Sequence, residues 1–275
     1  MSADFLTSMA QSSRARVARA RAQCADAKLR ALAHAAPAAP VLALSKQGFD
    51  LIAEVKLRSP AAGPFAGGED IAARAGDYAA AGAAAISVLT EPTRFDGELA
   101  HLELVARALA RRVPVMRKDF LVDPYQVYEA RVAGAGGVLV ILRMLERSHT
   151  VALLEAAAEL GLFALLEAFD EQDLQLAAEL VRSHGGRARL LVGVNCRDLS
   201  SLQVVPGRLE ALAPGLPAGV PRVAESGVES AADAARLAAA GYDVALVGSA
   251  LMRAHDRVEL ARALLAAGRQ AHSCG

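Results

Sequence analysis

Short apolar runs alternate eight times with alanine-rich stretches of helical period, and this alternation predicts a (β/α)8 barrel, a TIM barrel, with an extra N-terminal helical segment. Two further observations support it. The 275 residues match one such barrel, and aromatic residues make up only 4% of the chain, which suits a barrel interior filled with Val, Ile and Leu. A doubly wound open sheet is the alternative pattern, because apolar runs alone do not reveal whether a sheet closes.

The segment from Ser12 to Arg30 is rich in arginine and poor in acid. It reads as a surface helix packed on the domain, with an organelle transit segment as the other reading. Ala36 to Phe49 carries two prolines and a glycine and reads as a linker, which divides the chain into a helical extension over 1–48 and a barrel over 49–275. The runs that follow are LIAEVK from Leu51, AAISVLT from Ala84, VPVMRK from Val113, GGVLVIL from Gly136, LFALLE from Leu162, LLVGVN from Leu190, VPRVAES from Val220 and DVALVGS from Asp243. Between them, stretches such as EDIAARAGDYAAAG and SAADAARLAAAG have helical period and close on glycine.

Composition excludes several classes of function. Thirty basic residues balance thirty acidic ones, which argues against a nucleic-acid binder or a polybasic membrane anchor. Apolar residues make up 54%, yet no window is long enough to span a bilayer. Cys24, Cys196 and Cys274 lie far apart and form neither a disulfide framework nor a metal clip, so a cytoplasmic location is expected. His34, His101, His149, His184, His255 and His272 are scattered without metal-ligand spacing. Nucleotide-binding glycine motifs and a serine-hydrolase elbow are absent.

What ends each run carries the chemistry. In a barrel of this kind the reactive face lies at the C-terminal strand ends, and these runs finish in Glu54 and Lys56, Lys118, Glu167, Asn195, Glu225 and Ser249. Glu54 and Lys56 are two apart, so they share the inward face with Ile52. Inward charges are costly unless paired or used. Lys118, in a partly desolvated mouth, is expected to have its pKa drawn toward neutrality and to donate a proton, with Glu167 as the facing base. At the seventh and eighth runs, Ser226 with Gly227 and Gly248 with Ser249 form turns whose backbone N–H groups suit a phosphate.

These residues sit in strings that resemble the indole-3-glycerol-phosphate synthase family of tryptophan biosynthesis. The matching stretches are IAEVKLRSPAAG from Ile52, ISVLTEPTRFDG from Ile86, VMRKDFLVDPYQVYEARVAGA from Val115, LLEAFD from Leu165, VGVNCRDL from Val192, VAESGV from Val223 and ALVGSALM from Ala245. The resemblance implies a metal-free, cofactor-free carboxy-lyase. Its reaction turns 1-(2-carboxyphenylamino)-1-deoxyribulose 5-phosphate into indole-3-glycerol phosphate, carbon dioxide and water.

By the same resemblance Lys118 is the general acid at the ketone and Glu167 the base for dehydration. Lys56 is a second lysine at the substrate, and Glu54, Asn195 and Glu225 surround the reacting centre. Ser59 and Arg197 line the site, Phe95 and Phe120 wall the anthranilate pocket, and Ser226, Gly227, Gly248 and Ser249 hold the phosphate. The only partner implied is the phosphorylated small molecule, on a monomer or weak homo-oligomer, with no nucleic acid or membrane. Three positions depart from the family strings: Ala61 after Ser59-Pro60, Cys196 after Asn195, and Phe169 two residues after Glu167. A duplicate serving a specialised indole pathway, a related aminosugar-phosphate isomerase and a catalytically silent scaffold are the competing readings.

Overall fold

The computed structural model describes residues 2–59, 63–64, 70–110, 112–198, 201 and 203–272, with side chains described except at 2–4, 59 and 64. Ala61 and Cys274 lie outside the described residues. Eight parallel strands form a closed barrel. They are β1 (Asp50–Val55), β2 (Ala85–Leu89), β3 (Val115–Lys118), β4 (Gly137–Ile141), β5 (Phe163–Ala168), β6 (Arg189–Asn195), β7 (Arg222–Glu225) and β8 (Val244–Val247), with β8 pairing back onto β1. Closure settles the choice between a barrel and an open sheet.

Several helices begin at residues whose side chains satisfy a free N–H group. The helices α1 (Ser2–Gln23) and α2 (Asp26–Ala35) precede the first strand, and at the start of α3 (Ile71–Ala81) the Asp70 carboxylate accepts from the Ala72 N–H. A short helix α4 (Pro92–Phe95) and α5 (Leu99–Ala108) follow β2. Asp123 caps α6 (Pro124–Val132), and α7 (Arg147–Glu159) links β4 to β5. Asp170 caps α8 (Glu171–His184), and a short α9 (Arg208–Leu212) precedes β7. Ser230 and Asp233 form a reciprocal capping box on α10 (Ala231–Ala239), and α11 (Ser249–Arg253) and α12 (Arg257–His272) complete the ring. Among the described residues no helix is long and apolar enough to cross a membrane.

Alternation along each strand separates two cores. Val55, Val88, Val138, Leu166, Val192 and Ala245 face the helices in the outer core. Ile52, Met116, Leu139, Leu165, Leu191, Val223 and Leu246 fill the barrel interior. Aromatic rings join them: Phe120, Phe163 and Phe169 belong to the same buried cluster, and a Cβ built on Gly137 would lie 2.3 Å from the Phe163 ring. The interior is therefore not purely aliphatic, and a low aromatic content did not rule out rings there, Phe163 among them where a glycine opposite makes room.

The basic N-terminal stretch is two helices, broken around Cys24 and Ala25, rather than one. Its arginines are docking groups: Arg16 pairs with Asp119, Arg21 with Asp123, and Arg30 with Glu159. Leu6 and Met9 of α1 pack over one end of the barrel interior, while Leu42 and Leu44 of the linker pack against the same interior cluster. The linker is anchored by Arg131, whose guanidinium donates to the Ala36 and Pro37 carbonyls at 2.8 Å. Phe163→Ala should lower the free energy of unfolding in urea by about 3–5 kcal/mol, because it empties the interior opposite a glycine that cannot fill the space.

Candidate active site

Strand register brings the polar residues together at one end of the barrel. Asn195 pairs with Glu225 across β6 and β7, Glu167 with Gly193 across β5 and β6, and Lys118 with Leu89 across β3 and β2. Because each polar residue follows an inward apolar one by two, all of them point into the barrel mouth. A cleft of about 1090 Å³ opens there. Glu54, Lys56, Phe95, Lys118, Phe120, Glu167, Asn195, Arg197, Glu225, Ser226, Gly227, Gly248 and Ser249 all line it. The side chain of Ser59 lies outside the described residues.

The centre of the cleft is an ion cluster. Lys118 Nζ donates to Glu167 Oε1 at 3.3 Å and to Glu225 Oε2 at 3.1 Å. Asn195 Nδ2 donates to the same Glu167 oxygen at 2.9 Å. Beside them Lys56 Nζ lies 2.8 Å from Glu54 Oε1. Burial opposes the charge on Lys118, but Glu167, Glu225 and Glu54 outweigh it and hold the ammonium above the ordinary lysine range. This corrects the expectation that Lys118 titrates toward neutrality. Partners on three other strands, which desolvation alone ignores, reverse the direction.

The carboxylates respond to the same balance. Burial raises Glu54, yet Lys56 and Lys118 prevail and keep it below the usual carboxylate range. Glu225 moves the other way. Burial, with Glu167 adding to it against the pull of Lys118, pushes Glu225 up to about 8.

Two glycines make room for this cluster. A Cβ on Gly248 would lie 2.3 Å from Glu54 Oε1 and 2.9 Å from Lys56 Nζ, and one on Gly193 would lie 2.3 Å from Glu225 Oε1. Across the cleft, Ser226 adopts a left-handed φ of 68°, which is costly for a residue with a Cβ. It is followed by Gly227, and the two turns after β7 and β8 face the same space.

The aromatic wall includes a residue the sequence reading missed. Phe95 and Phe120 have ring centroids 6.2 Å apart, and Phe5 of α1 meets Phe120 edge-on at 5.9 Å. Phe5 lies outside the repeating part of the chain, so no strand-end pattern marks it. Asp119 was also passed over. Its buried carboxylate accepts from both terminal nitrogens of the Arg16 guanidinium at 2.7 and 2.8 Å, from Thr90 Oγ1 at 2.8 Å and from Arg117 at 3.1 Å. The helix that carries Phe5 is thus fastened to the residue between Lys118 and Phe120.

Two departures from the family strings lie off the reacting centre. Cys196 is buried in the outer core, where burial raises its thiol and keeps it neutral. Phe169 packs with Leu6 and Met9, and the Arg143 guanidinium lies 4.7 Å from its ring centre.

Gly248→Ala should displace the Glu54–Lys56 pair, and a crystal structure of that variant is expected to show the pair broken while β8 stays in place. Burial raises Asp119 from its ordinary 3.8, but Arg16, Arg117 and Thr90 overcome this and hold it at about 2. Its stabilisation is therefore full above the ordinary aspartate range and lost as pH falls through about 2. The Tm difference between wild type and Asp119→Asn is expected to persist from neutral pH into mild acid, then shrink toward zero.

Comparison with known proteins places this geometry. The sequence model of the family described as indole-3-glycerol phosphate synthase matches residues 6–264. A protein of that name from Rhodococcus opacus (strain B4) is 41% identical over 265 residues, covering 96% of this chain and 95% of the relative. One from Parafrankia sp. (strain EAN1pec) is 45% identical over 218 residues, 79% of this chain and 78% of the relative. Among solved structures, 3-hexulose-6-phosphate synthase from Salmonella typhimurium superposes with a TM-score of 0.64 at 17% identity, over 82% of this chain and 100% of that one. That likeness speaks for the barrel alone. With a family match over nearly its whole length, the chain belongs to the indole-3-glycerol phosphate synthase family.

Proposed function

We propose that this chain is a carboxy-lyase of tryptophan biosynthesis that closes the indole ring. Its substrate is 1-(2-carboxyphenylamino)-1-deoxyribulose 5-phosphate and its products are indole-3-glycerol phosphate, carbon dioxide and water. The observation that carries this reading is Lys118 Nζ held between Glu167 and Glu225 in a cleft walled by aromatics on one side and by Ser/Gly turns on the other.

The substrate has a part for each wall. Its phosphate is seated by the backbone N–H groups of the turns at Ser226–Gly227 and Gly248–Ser249. Its carboxyphenyl ring lies against Phe95 and Phe120, with Phe5 completing the wall. The ketone then falls over the ion cluster. Lys118 gives a proton to the ketone oxygen as the ring carbon bearing the carboxylate attacks. Carbon dioxide leaves and its bonding electrons restore the aromatic ring. Dehydration follows: Lys56 protonates the departing hydroxyl, and Glu167 takes a proton from the adjacent methylene carbon. Asn195 and Lys118 hold Glu167 in place for that step, Glu54 orients Lys56, and Arg197 lines the substrate's path.

Two ammonium groups polarise and protonate the oxygen, so turnover should be unaffected by a chelator. Indole fluorescence from the purified chain and this substrate tests the reading. Lys118→Ala should reduce kcat by about 10²–10⁴-fold, the usual range for a lost general acid. Turnover near that of the wild type in this variant would contradict the assignment.

A further inference from the structure

The ion cluster holds one carboxyl group that the steps above leave without a task. Glu225 is 1% exposed, and its Oε2 accepts from Lys118 Nζ at 3.1 Å. Its other oxygen, Oε1, is buried with no hydrogen-bond partner, pressed against the β6 backbone at Gly193. A carboxylate oxygen sealed from water with no donor is strongly disfavoured, whereas a protonated carboxyl needs only an acceptor. The Glu167 carboxyl, which contacts the same Lys118 Nζ, is the neighbour placed to be that acceptor. The charge count agrees. Facing Glu225 are Lys118 of β3, Glu167 of β5, Cys196 after β6 and the Glu54–Lys56 pair of β1, with Arg197 beside Glu54; β8 contributes the apolar Leu246. Lys56 is paired with Glu54, so one ammonium, Lys118, is shared between two carboxyl groups.

The chemistry of ring closure, on which this inference rests, calls for such a group. The ketone oxygen must gain two protons to leave as water, and the base recovers only one. Carbon dioxide carries none away, so each turnover consumes one proton. Lys118 itself, held firmly as an ammonium by its carboxylates, is left as a strongly basic amine once it has donated.

We propose that Glu225 stands protonated in the resting enzyme and serves as the proton reserve of the site, reloading Lys118 after that lysine has protonated the substrate. In that step the carboxyl group turns its O–H from Glu167 to Lys118, that O–H bond breaks, and an Nζ–H bond forms across the Glu225–Lys118 contact. Glu225 becomes a carboxylate, Lys118 becomes an ammonium again, and no electrons change hands. Water admitted as product leaves restores the carboxyl proton. Glu225 acts through Lys118, so it is a supplier of protons rather than a group that touches the reacting atoms.

Infrared difference spectroscopy of the substrate-free protein tests the protonation directly. The C=O stretch of a buried neutral carboxyl is expected at neutral pH, fading as pH rises through about 8, and absent from Glu225→Gln. A wild type without that band, or a Glu225→Gln protein that keeps it, overturns the proposal. In turnover, wild-type kcat should fall as pH rises through the same range. Glu225→Gln, folded by circular dichroism, should lose at least about tenfold in kcat and show no limb there, since it keeps an oxygen for Lys118 but has no acid proton to give. An unchanged limb in the variant overturns the reserve, because a merely structural role would leave the profile in place. Failure of the reaction itself looks different: the band is present but the wild type forms no indole.

Discussion

The ammonium of Lys118 between two carboxyl groups is the interaction around which the rest of the site is arranged. A charge this deep in a barrel mouth is tolerable only with partners at hydrogen-bond distance, and those partners come from β5, two strands away from β3, and from β7, directly across the barrel from it. The strand register that aligns them, the glycines that let Glu54 and Glu225 lie flat against neighbouring backbone, and the Asn195 amide on Glu167 all serve that geometry. Each inward charge costs desolvation. On the function proposed above the cluster is kept for its chemistry, and the fold carries the cost through the two apolar cores.

The N-terminal segment is part of this arrangement rather than an appendage. Arg16 reaches from α1 to Asp119, the residue next to Lys118, and the same helix brings Phe5 to Phe120. Docking of α1 and placement of the aromatic wall therefore share one buried ion pair. Ser13 extends the connection, its hydroxyl accepting from Gln126, whose carbonyl oxygen in turn accepts from the Val122 N–H in the loop after β3. A helix that lies far from the strand ends in sequence thus borders both the Lys118 strand end and the aromatic wall.

Much of this was legible in the residues. Period-two alternation placed Glu54 and Lys56 on the inward face, the ends of the apolar runs marked Lys118, Glu167, Asn195 and Glu225, and the structure brings all six into one cleft. What the sequence could not show depended on distances between strands. The direction of the Lys118 shift is set by Glu167, Glu225 and Glu54, which lie on other strands, so local desolvation gave the opposite sign. Gly193 reads as a strand glycine until Glu225 is seen lying against it, and Phe163 reads as one more apolar residue until its ring is found opposite Gly137. Phe5 and Arg16 carry no periodic signal toward the barrel, because their roles depend on where α1 docks. The break between α1 and α2 is likewise hidden, since the residues around Cys24 contain no proline or glycine to mark it.

If the cluster is held for chemistry and not for stability, neutralising it as a unit should relieve the fold. Denaturant unfolding of Lys118→Met alone, beside the combined Lys118→Met, Glu167→Gln and Glu225→Gln protein, tests this directly. The single variant leaves carboxyl groups without their cation and is expected to lose about 3–5 kcal/mol, whereas the combined variant should return to within about 1 kcal/mol of the wild type or exceed it. A combined variant as destabilised as the single one would show the cluster to be structural, and would contradict the account.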